Sequence, residues 1–241
     1  MRMVTSLRIS FQTDLVAFCF DHPVLFRRQI FPNYKAHLGR NGDNPEISQE
    51  KERVRRVIDN VWKQLRSAGF INTFRSSGME SDDLMAKITY TYSGPREDLR
   101  SGPFIVLESS DKDLYQCLSE RVILHGSSGT MTSESFFKTY RIPCRAWARM
   151  KAIAGCKTDG VPGIPGIGET TALKYIRGEM RSGSKYNKIR STSGQKIIRR
   201  NRELVELPLT LCPEVRLDDR DWSEKKWEDL ADRLRIKKER R

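Results

Sequence analysis

The chain has 241 residues, 37% of them hydrophobic and 31% charged, which is enough to bury a core and excludes a chain disordered by composition. Lys and Arg number 44 against 31 acidic residues, and the formal charge of +13 favours a polyanionic partner. A basic protein that is merely soluble stays the alternative. The longest apolar run, residues 15–20, is far shorter than the roughly 20 residues of a membrane span. With no secretion signal at the N-terminus, we expect a cytoplasmic protein without a membrane partner.

The first third of the chain predicts a helix, a strand and then a long helix. Apolar residues spaced by four indicate a helix over residues 1–12, and the β-rich run 15–20 predicts a buried strand that ends at Asp21. Turn-forming residues at 41–45 predict a loop. Apolar positions on one face predict a helix over 48–68, which Gly69 stops before a short strand at 71–74.

The middle of the chain repeats the order of strand, acidic turn and helix. A helix is predicted over 80–90, and the strand 103–107 leads through Asp111 into a helix at 114–118. This alternation is typical of a mostly parallel sheet with helices on both faces, where sites gather at the carboxyl ends of the strands. After Thr132 the pattern is helical. Residues 181–202 are basic, and the tail beyond Asp219 is expected to fray in part.

Carboxylates gather where these strands end or helices begin. The three groups are Asp21; Glu80, Asp82 and Asp83; and Asp111 and Asp113. In so basic a chain, acids at one edge of a sheet repel one another unless cations neutralise them, and oxygen ligands suit Mg²⁺ or Mn²⁺. Two such ions can activate water and stabilise the leaving oxygen of a phosphodiester. Helix capping is the alternative explanation for each single acid.

A glycine and proline hairpin at residues 160–168 separates two predicted helices, 146–154 and 170–176. Its glycines can present backbone N–H groups to a DNA phosphate, although an ordinary packing turn between helices is the alternative. Residues 26–35 interleave cations with aromatic rings, as single strands require. Five cysteines without a CxxC pair argue against a zinc knuckle and a disulfide framework.

These motifs together resemble the 5′-nuclease family of flap endonucleases, phage 5′-3′ exonucleases and the 5′-nuclease domain of bacterial DNA polymerase I. The resemblance rests on FDHPVLFRRQIFPNYK, GMESDD, ESSDKD and AGCKTDGVPGIPGIGETTA. It implies an α/β fold with a PIN-like, mostly parallel sheet flanked by helices and a helix-hairpin-helix region that binds DNA. The implied division is a nuclease core at 1–140 with a helical arch at about 22–68, the helix-hairpin-helix and return segment at 141–212, and a charged tail at 213–241.

The resemblance also implies roles for individual residues. Lys35, Arg27 and Arg40 match the catalytic lysine and the arch cations. The implied metal ligands are Asp21, Glu80, Asp82, Asp83, Asp111, Asp113 and Asp159, for two Mg²⁺ or Mn²⁺ ions. The implied DNA-binding positions are Lys151, Gly163, Gly166, Ile167, Gly168, Thr170, Thr171 and Lys174, with a K⁺ ion at the hairpin. The expected partner is DNA with 5′ ends, flaps or junctions, bound by a monomer from a phage or bacterium.

Two departures from the family pattern keep other functions open. The family's first strand, which ends in a metal-binding Asp, is expected to be missing, and Cys156 stands where the family usually has an Asp. A thiol is a poor Mg²⁺ ligand, so weaker metal binding, a preference for Mn²⁺ and no activity all stay open. The main hypothesis is a metal-dependent 5′-3′ exonuclease and flap endonuclease. The alternatives are a catalytically impaired relic that binds branched DNA, and a PIN-type ribonuclease.

Overall fold

The computed structural model describes residues 2–36, 45–93 and 103–234. In chain order its regular elements are α1 (Arg2–Phe11), β1 (Phe18–Cys19), α2 (Arg27–Ile30), α3 (Pro45–Ser67), β2 (Thr73–Phe74), α4 (Ser81–Tyr92), β3 (Ile105–Glu108), β4 (Val122–Gly126), β5 (Gly129–Met131), α5 (Ser133–Tyr140), α6 (Trp147–Ala154), β6 (Gly155–Cys156), β7 (Val161–Pro162), α7 (Glu169–Ile176), α8 (Ser184–Arg190), α9 (Thr192–Val205) and α10 (Glu224–Arg233). Two 3₁₀ helices cover Lys112–Cys117 and Cys144–Ala146. None of the described helices combines the length and apolarity needed to cross a membrane.

The chain forms two compact units, each discontinuous in sequence. One comprises residues 1–21, 41–75 and 216–241, and the other comprises residues 22–40 and 76–215. Both mix helices with short strands, which confirms the α/β class. The predicted domain boundaries at residues 140 and 212 stay predictions.

The unit that contains both chain ends is built around β1, β2 and an aromatic cluster. The two strands pair in parallel, with Phe18 opposite Thr73. Phe18 stacks on Trp227 at 6.2 Å between ring centroids, and Phe70 meets Trp227 edge-on at 6.0 Å. The partial fraying expected beyond Asp219 does not extend to residues 224–233. They form α10, because Trp227 and Leu230, one helical turn apart, are both buried in this cluster.

The same unit is tied together by one buried carboxylate. Asp221 accepts hydrogen bonds from the backbone N–H groups of Ile71 at 2.7 Å and Asn72 at 2.8 Å. The side chain of Asn72 bonds in turn to the backbone of Asp218. These bonds fix the segment before β2 to the segment before α10. They also satisfy backbone groups that would be costly to bury unpaired.

The larger unit contains a three-stranded sheet in the order β3, β4, β5. β3 and β4 pair in parallel, whereas β4 and β5 pair antiparallel as a hairpin. Sequence analysis assigned no element to residues 122–131, so these two strands are additions to the predicted fold. The basic stretch 181–202 contains α8 and most of α9, which ends at Val205. The buried residues of these two helices include Ile189, Leu204 and Val205.

A tight hairpin, formed by β6 and β7, follows α6. Gly155 has φ +82°, and a Cβ there would lie 2.3 Å from the backbone nitrogen of Gly163. A Cβ on Gly163 would lie 2.1 Å from the carbonyl oxygen of Ala154. Glycine is therefore required at both positions by the close approach of the two backbone segments. Cys156 ends β6, and Asp159 lies in the loop that joins β6 to β7.

Candidate active site

Lys35 joins two acidic segments of the larger unit. It has φ +50°, a left-handed conformation that is uncommon outside glycine, and its backbone N–H donates to the carbonyl oxygen of Asp159 at 2.7 Å. Its ammonium group pairs with Glu80 and lies 3.6 Å from Oδ1 of Asp159. The backbone conformation therefore directs this side chain between two carboxylates.

Glu80 stands at the N-terminal end of α4 and is buried. Its Oε2 accepts a hydrogen bond from the hydroxyl of Tyr34 at 2.8 Å and lies 3.0 Å from Nη1 of Arg27. Burial raises the pKa of Tyr34, and the negative charge of Glu80 raises it further. Tyr34 consequently stays a hydrogen-bond donor to Glu80.

A buried ion pair between Arg27 and Asp83 fixes the start of α4. Nη1 and Nη2 of Arg27 donate to the two oxygens of Asp83 at 2.5 and 2.7 Å, and Nε donates to the carbonyl oxygen of Leu204 at 2.8 Å. Asp83 also accepts the backbone N–H groups of Leu209 at 2.8 Å and Glu80 at 3.1 Å. Burial lowers the pKa of Arg27, but the hydrogen bonds and charge of Asp83 outweigh it, so the net shift is upward.

A second lysine approaches the acids of the 3₁₀ helix. Asp111 caps that helix by accepting the backbone N–H of Asp113 at 2.8 Å. The ammonium group of Lys151, from α6, pairs with the carboxylate of Asp113 and lies 3.7 Å from Sγ of Cys156. Lys151 thus lies between an acid and a thiol.

Cys156 and Asp159 complete the arrangement from the loop after α6. Sγ of Cys156 donates to Oδ2 of Asp159 at 3.0 Å and lies 3.0 Å from the hydroxyl oxygen of Thr158. One ligand atom each of Asp113, Cys156 and Asp159 lies within 4.8 Å of the others. Burial raises the pKa of the Cys156 thiol, although the charge of Lys151 partly opposes this effect.

These contacts form one continuous group, which we call the lysine–acid cluster. Its members are Lys35, Glu80, Asp113, Lys151, Cys156 and Asp159. They come from the loop after α2, the start of α4, the 3₁₀ helix, α6, β6 and the loop between β6 and β7. The fold therefore gathers residues that are up to 124 positions apart in the sequence.

The family model for the 5′-3′ exonuclease N-terminal resolvase-like domain matches residues 1–141, more than half of the chain. The chain belongs to this 5′-3′ exonuclease family. It is 29% identical over 166 residues to the thermostable DNA polymerase I of Thermus thermophilus and 30% identical over 231 residues to DNA polymerase I of Mycobacterium tuberculosis. These matches cover 68% and 87% of the chain, but 18% and 24% of the polymerases.

Solved structures show the same fold. The T5 flap endonuclease in a pseudo-enzyme-product complex with DNA and metal ions superposes with a TM-score of 0.71. It is 18% identical in sequence, and the match covers 96% of this chain and 88% of that one. The T5 5′-exonuclease with bound zinc superposes with a TM-score of 0.72 at 20% identity, over 86% of this chain and 79% of that one.

The remaining acids predicted from the family pattern occupy different environments. Asp21 is exposed after β1, Asp82 is half-buried in the first turn of α4, and Asp111 is exposed at its capping position. Their metal roles stay predictions. Asp83 differs, because it is fully buried and its two oxygens are taken up by Arg27 and two backbone N–H groups. These contacts give Asp83 a structural role, and its metal role stays a prediction.

The predicted catalytic and DNA-binding cations also occupy different environments. Lys35 lies in the lysine–acid cluster. Arg27 is 1% exposed and its guanidinium is bonded to Asp83, and its catalytic role stays a prediction. Lys151, expected to bind DNA, pairs with Asp113. Arg40 lies outside the described residues.

The predicted DNA-binding residues between α6 and α7 and within α7 differ in their exposure. Gly166, Gly168, Thr170 and Lys174 are exposed, whereas Gly163 and Thr171 are half-buried. Ile167 is buried in the core, and its backbone N–H donates to the carbonyl oxygen of Ile164 at 2.9 Å. Its side chain therefore packs in the core, and its predicted DNA contact stays a prediction.

The donor chemistry of the cluster separates two kinds of metal site. Glu80, with Asp82 next to it in the first turn of α4, offers oxygen atoms, which suit hard ions such as Mg²⁺. Asp113, Cys156 and Asp159 offer two carboxylates and a sulfur atom, which do not fit Mg²⁺. Sequence reasoning did not identify Tyr34 or the contact between Lys151 and Asp113. The position of Tyr34 beside Lys35 was the available signal for the former.

Proposed function

We propose that this chain is a divalent-metal-dependent 5′-3′ exonuclease and flap endonuclease that hydrolyses DNA phosphodiesters. The observation that carries the proposal is the position of Lys35, whose ammonium group lies between Glu80 and Asp159. A fixed positive charge beside metal-ligating carboxylates is suited to stabilise the charge that develops on a phosphate during hydrolysis. The T5 relative whose structure contains DNA and metal ions supports the same substrate class.

Different residues of the chain would hold the metal ion, orient its ligand and stabilise the phosphate. Glu80, with Asp82 as a predicted further ligand, would hold a hard divalent ion, Mg²⁺ or Mn²⁺. Such an ion lowers the pKa of bound water and stabilises a leaving oxygen. Tyr34 orients Glu80 through its hydrogen bond, and Lys35 would exchange its contact with Glu80 for a phosphate oxygen. The ion pair between Arg27 and Asp83 fixes the start of α4, which carries Glu80.

The glycine turn at residues 163–168 and α7 would bind duplex DNA next to the phosphodiester that is hydrolysed. Gly166 and Gly168 are exposed, Gly166 has φ +80°, and Thr170 and Lys174 lie on the following helix. Backbone N–H groups at a glycine turn and the N-terminal end of a helix favour a phosphate. A K⁺ ion at this turn is part of the proposal, as is action by a monomer. The high positive charge of the chain supports a polyanionic partner.

Cleavage of labelled 5′-flap DNA in Mg²⁺ and in Mn²⁺ tests the proposal. Removing an electrostatic contact to the reacting phosphate lowers kcat by about 10²- to 10³-fold, and we expect this loss for Lys35→Ala. The exposed ion pair Lys138 and Glu134 provides the matched controls, Lys138→Ala and Glu134→Gln, which should cleave at the parent rate. Glu80→Gln should lose both activity and metal affinity. Full cleavage by Lys35→Ala would contradict the proposal.

A second candidate function is binding of branched DNA with little or no cutting. The thiol of Cys156 among carboxylates favours it, because a thiol is a poor ligand for Mg²⁺. This candidate predicts strong DNA binding without metal and no product in any divalent ion. A Cys156→Asp variant that gained cleavage would support it. A matched RNA flap distinguishes the ribonuclease alternative, which requires RNA to be cut in preference to DNA.

A further inference from the structure

The loop after α6 and the 3₁₀ helix bring together an unusual set of metal donors. Asp113 and Asp159 contribute carboxylate oxygens, and Cys156 contributes sulfur, with one ligand atom of each within 4.8 Å of the others. Cys156 and Asp159 are 5% and 7% exposed, so the packing around them limits the movement of their side chains. Glycine at 155 and 163 holds the two sides of the hairpin close together. The set is thus assembled by the fold and is not a chance meeting of surface side chains.

The chemistry of these donors disagrees with a site for two hard ions. Mg²⁺ requires near-octahedral oxygen coordination and retains water, whereas a sulfur ligand selects softer ions. Zn²⁺ accepts carboxylate and thiolate ligands together, with three protein ligands and a fourth position open in sites that act on a substrate. Asp113, Cys156 and Asp159 supply that number and mixture of ligands.

We propose that Asp113, Cys156 and Asp159 form a site for a thiophilic divalent cation, of which Zn²⁺ is the representative, in preference to Mg²⁺. This inference deepens the proposed nuclease function and rests on it for the role of the ion. Binding joins the metal to Sγ, and the thiol proton leaves to solvent. The incoming cation also takes the place of the ammonium group of Lys151 beside Asp113. Lys151 therefore competes with the metal for this carboxylate.

Spectroscopy with Co²⁺ tests the site without DNA and without any need for activity. Co²⁺ bound to a thiolate gives a charge-transfer band that Co²⁺ bound to oxygen lacks. We expect the band in the parent chain, its loss in Cys156→Ser and its retention in Cys144→Ser, a matched half-buried thiol outside the cluster. Lys151→Met should bind Co²⁺ about ten-fold more tightly or better, because the competing charge is gone.

Competition measurements then define the preference. Loss of a group that only supports a metal ligand costs about 10- to 100-fold in affinity, and loss of a ligand should cost at least that much. We therefore expect Zn²⁺ affinity to fall by at least about 100-fold in Cys156→Ser. The Cys156→Asp variant should gain Mn²⁺ and Mg²⁺ affinity as it loses the Co²⁺ band. Circular dichroism of each variant confirms that it is folded.

The outcomes separate this inference from the proposed function. A parent chain without the band, or a band that persists in folded Cys156→Ser, overturns the metal site whatever the cleavage assay shows. A Cys156-dependent band in a chain that cuts no flap DNA in any metal upholds the site and overturns the nuclease. Zn²⁺ binding no tighter than Mg²⁺ binding would also overturn the stated preference.

Discussion

Replacement of Asp83 should destabilise the larger unit far more than it alters metal binding. Asp83 is fully buried and receives four hydrogen bonds, two from the Arg27 guanidinium and two from backbone N–H groups. Removing one member of a buried ion pair costs about 3–5 kcal/mol, because the other charge stays buried without compensation. Each backbone donor left unpaired costs about 1–3 kcal/mol.

These losses are not additive, because Glu80 lies 3.0 Å from Arg27 and can share its charge. We expect Asp83→Ala to lower the free energy of unfolding by about 4–5 kcal/mol, which is a large part of the 5–15 kcal/mol of a typical domain. Asp83→Asn retains an acceptor oxygen and should lose about 2–3 kcal/mol.

Urea unfolding of the full chain, followed by circular dichroism, measures these changes. The exposed residue Glu134, paired with Lys138, gives the control, since Glu134→Ala should leave the free energy of unfolding unchanged. The double variant Arg27→Met, Asp83→Leu should recover much of the loss, because it leaves no unpaired charge. A loss below about 1 kcal/mol in Asp83→Ala together with a fall in divalent-ion affinity would refute this reasoning and make Asp83 a ligand.

Three further predictions concern other parts of the molecule. Asp221→Ala should destabilise its unit by about 2–4 kcal/mol in urea unfolding, since two backbone N–H groups lose their acceptor. Burial raises the pKa of Cys212 from 9.0 to about 11, so stability falls as the pH rises from 9 to 11, where the unfolded chain has already released the proton. In the Cys212→Ala variant, the decrease in the free energy of unfolding between pH 9 and pH 11 should be smaller by about 1–2 kcal/mol, measured by unfolding at each pH. Lys174→Ala should reduce the slope of log K for DNA against log salt by up to about one, whereas Lys138→Ala should leave the slope unchanged.

Local patterns in the sequence predicted most of the helices, because apolar spacing and glycine stops are local signals. α3 ends at Ser67, one residue before the predicted end, and Gly69 has φ +86°. The strand Val122–Gly126 was missed although its β-branched run Val122 and Ile123 was a usable signal. α10 was missed because charged residues surround its two buried anchors, Trp227 and Leu230.

The site was predictable as a set of residue types but not as a set of contacts. GMESDD gave a helix start with acids, and the family pattern singled out Lys35. Nothing local distinguishes Asp83 from its neighbour Asp82. The partner of Asp83 is Arg27, which lies 56 positions earlier, so its burial depends on how α2 packs against α9. Contacts at that separation are set by tertiary packing.

The two lysines explain how so basic a chain keeps its acids together. Glu80, Asp113 and Asp159 are carboxylates in one connected group. Lys35 pairs with Glu80 and Asp159, and Lys151 pairs with Asp113. Two ammonium groups, together with the Arg27 guanidinium 3.0 Å from Glu80, face these three carboxylates, so cations of the chain itself offset much of the negative charge. A divalent ion bound at the proposed site would compete with the ammonium groups for the same carboxylate oxygens. The proposed metal binding and the proposed contact of Lys35 with a phosphate would therefore be linked.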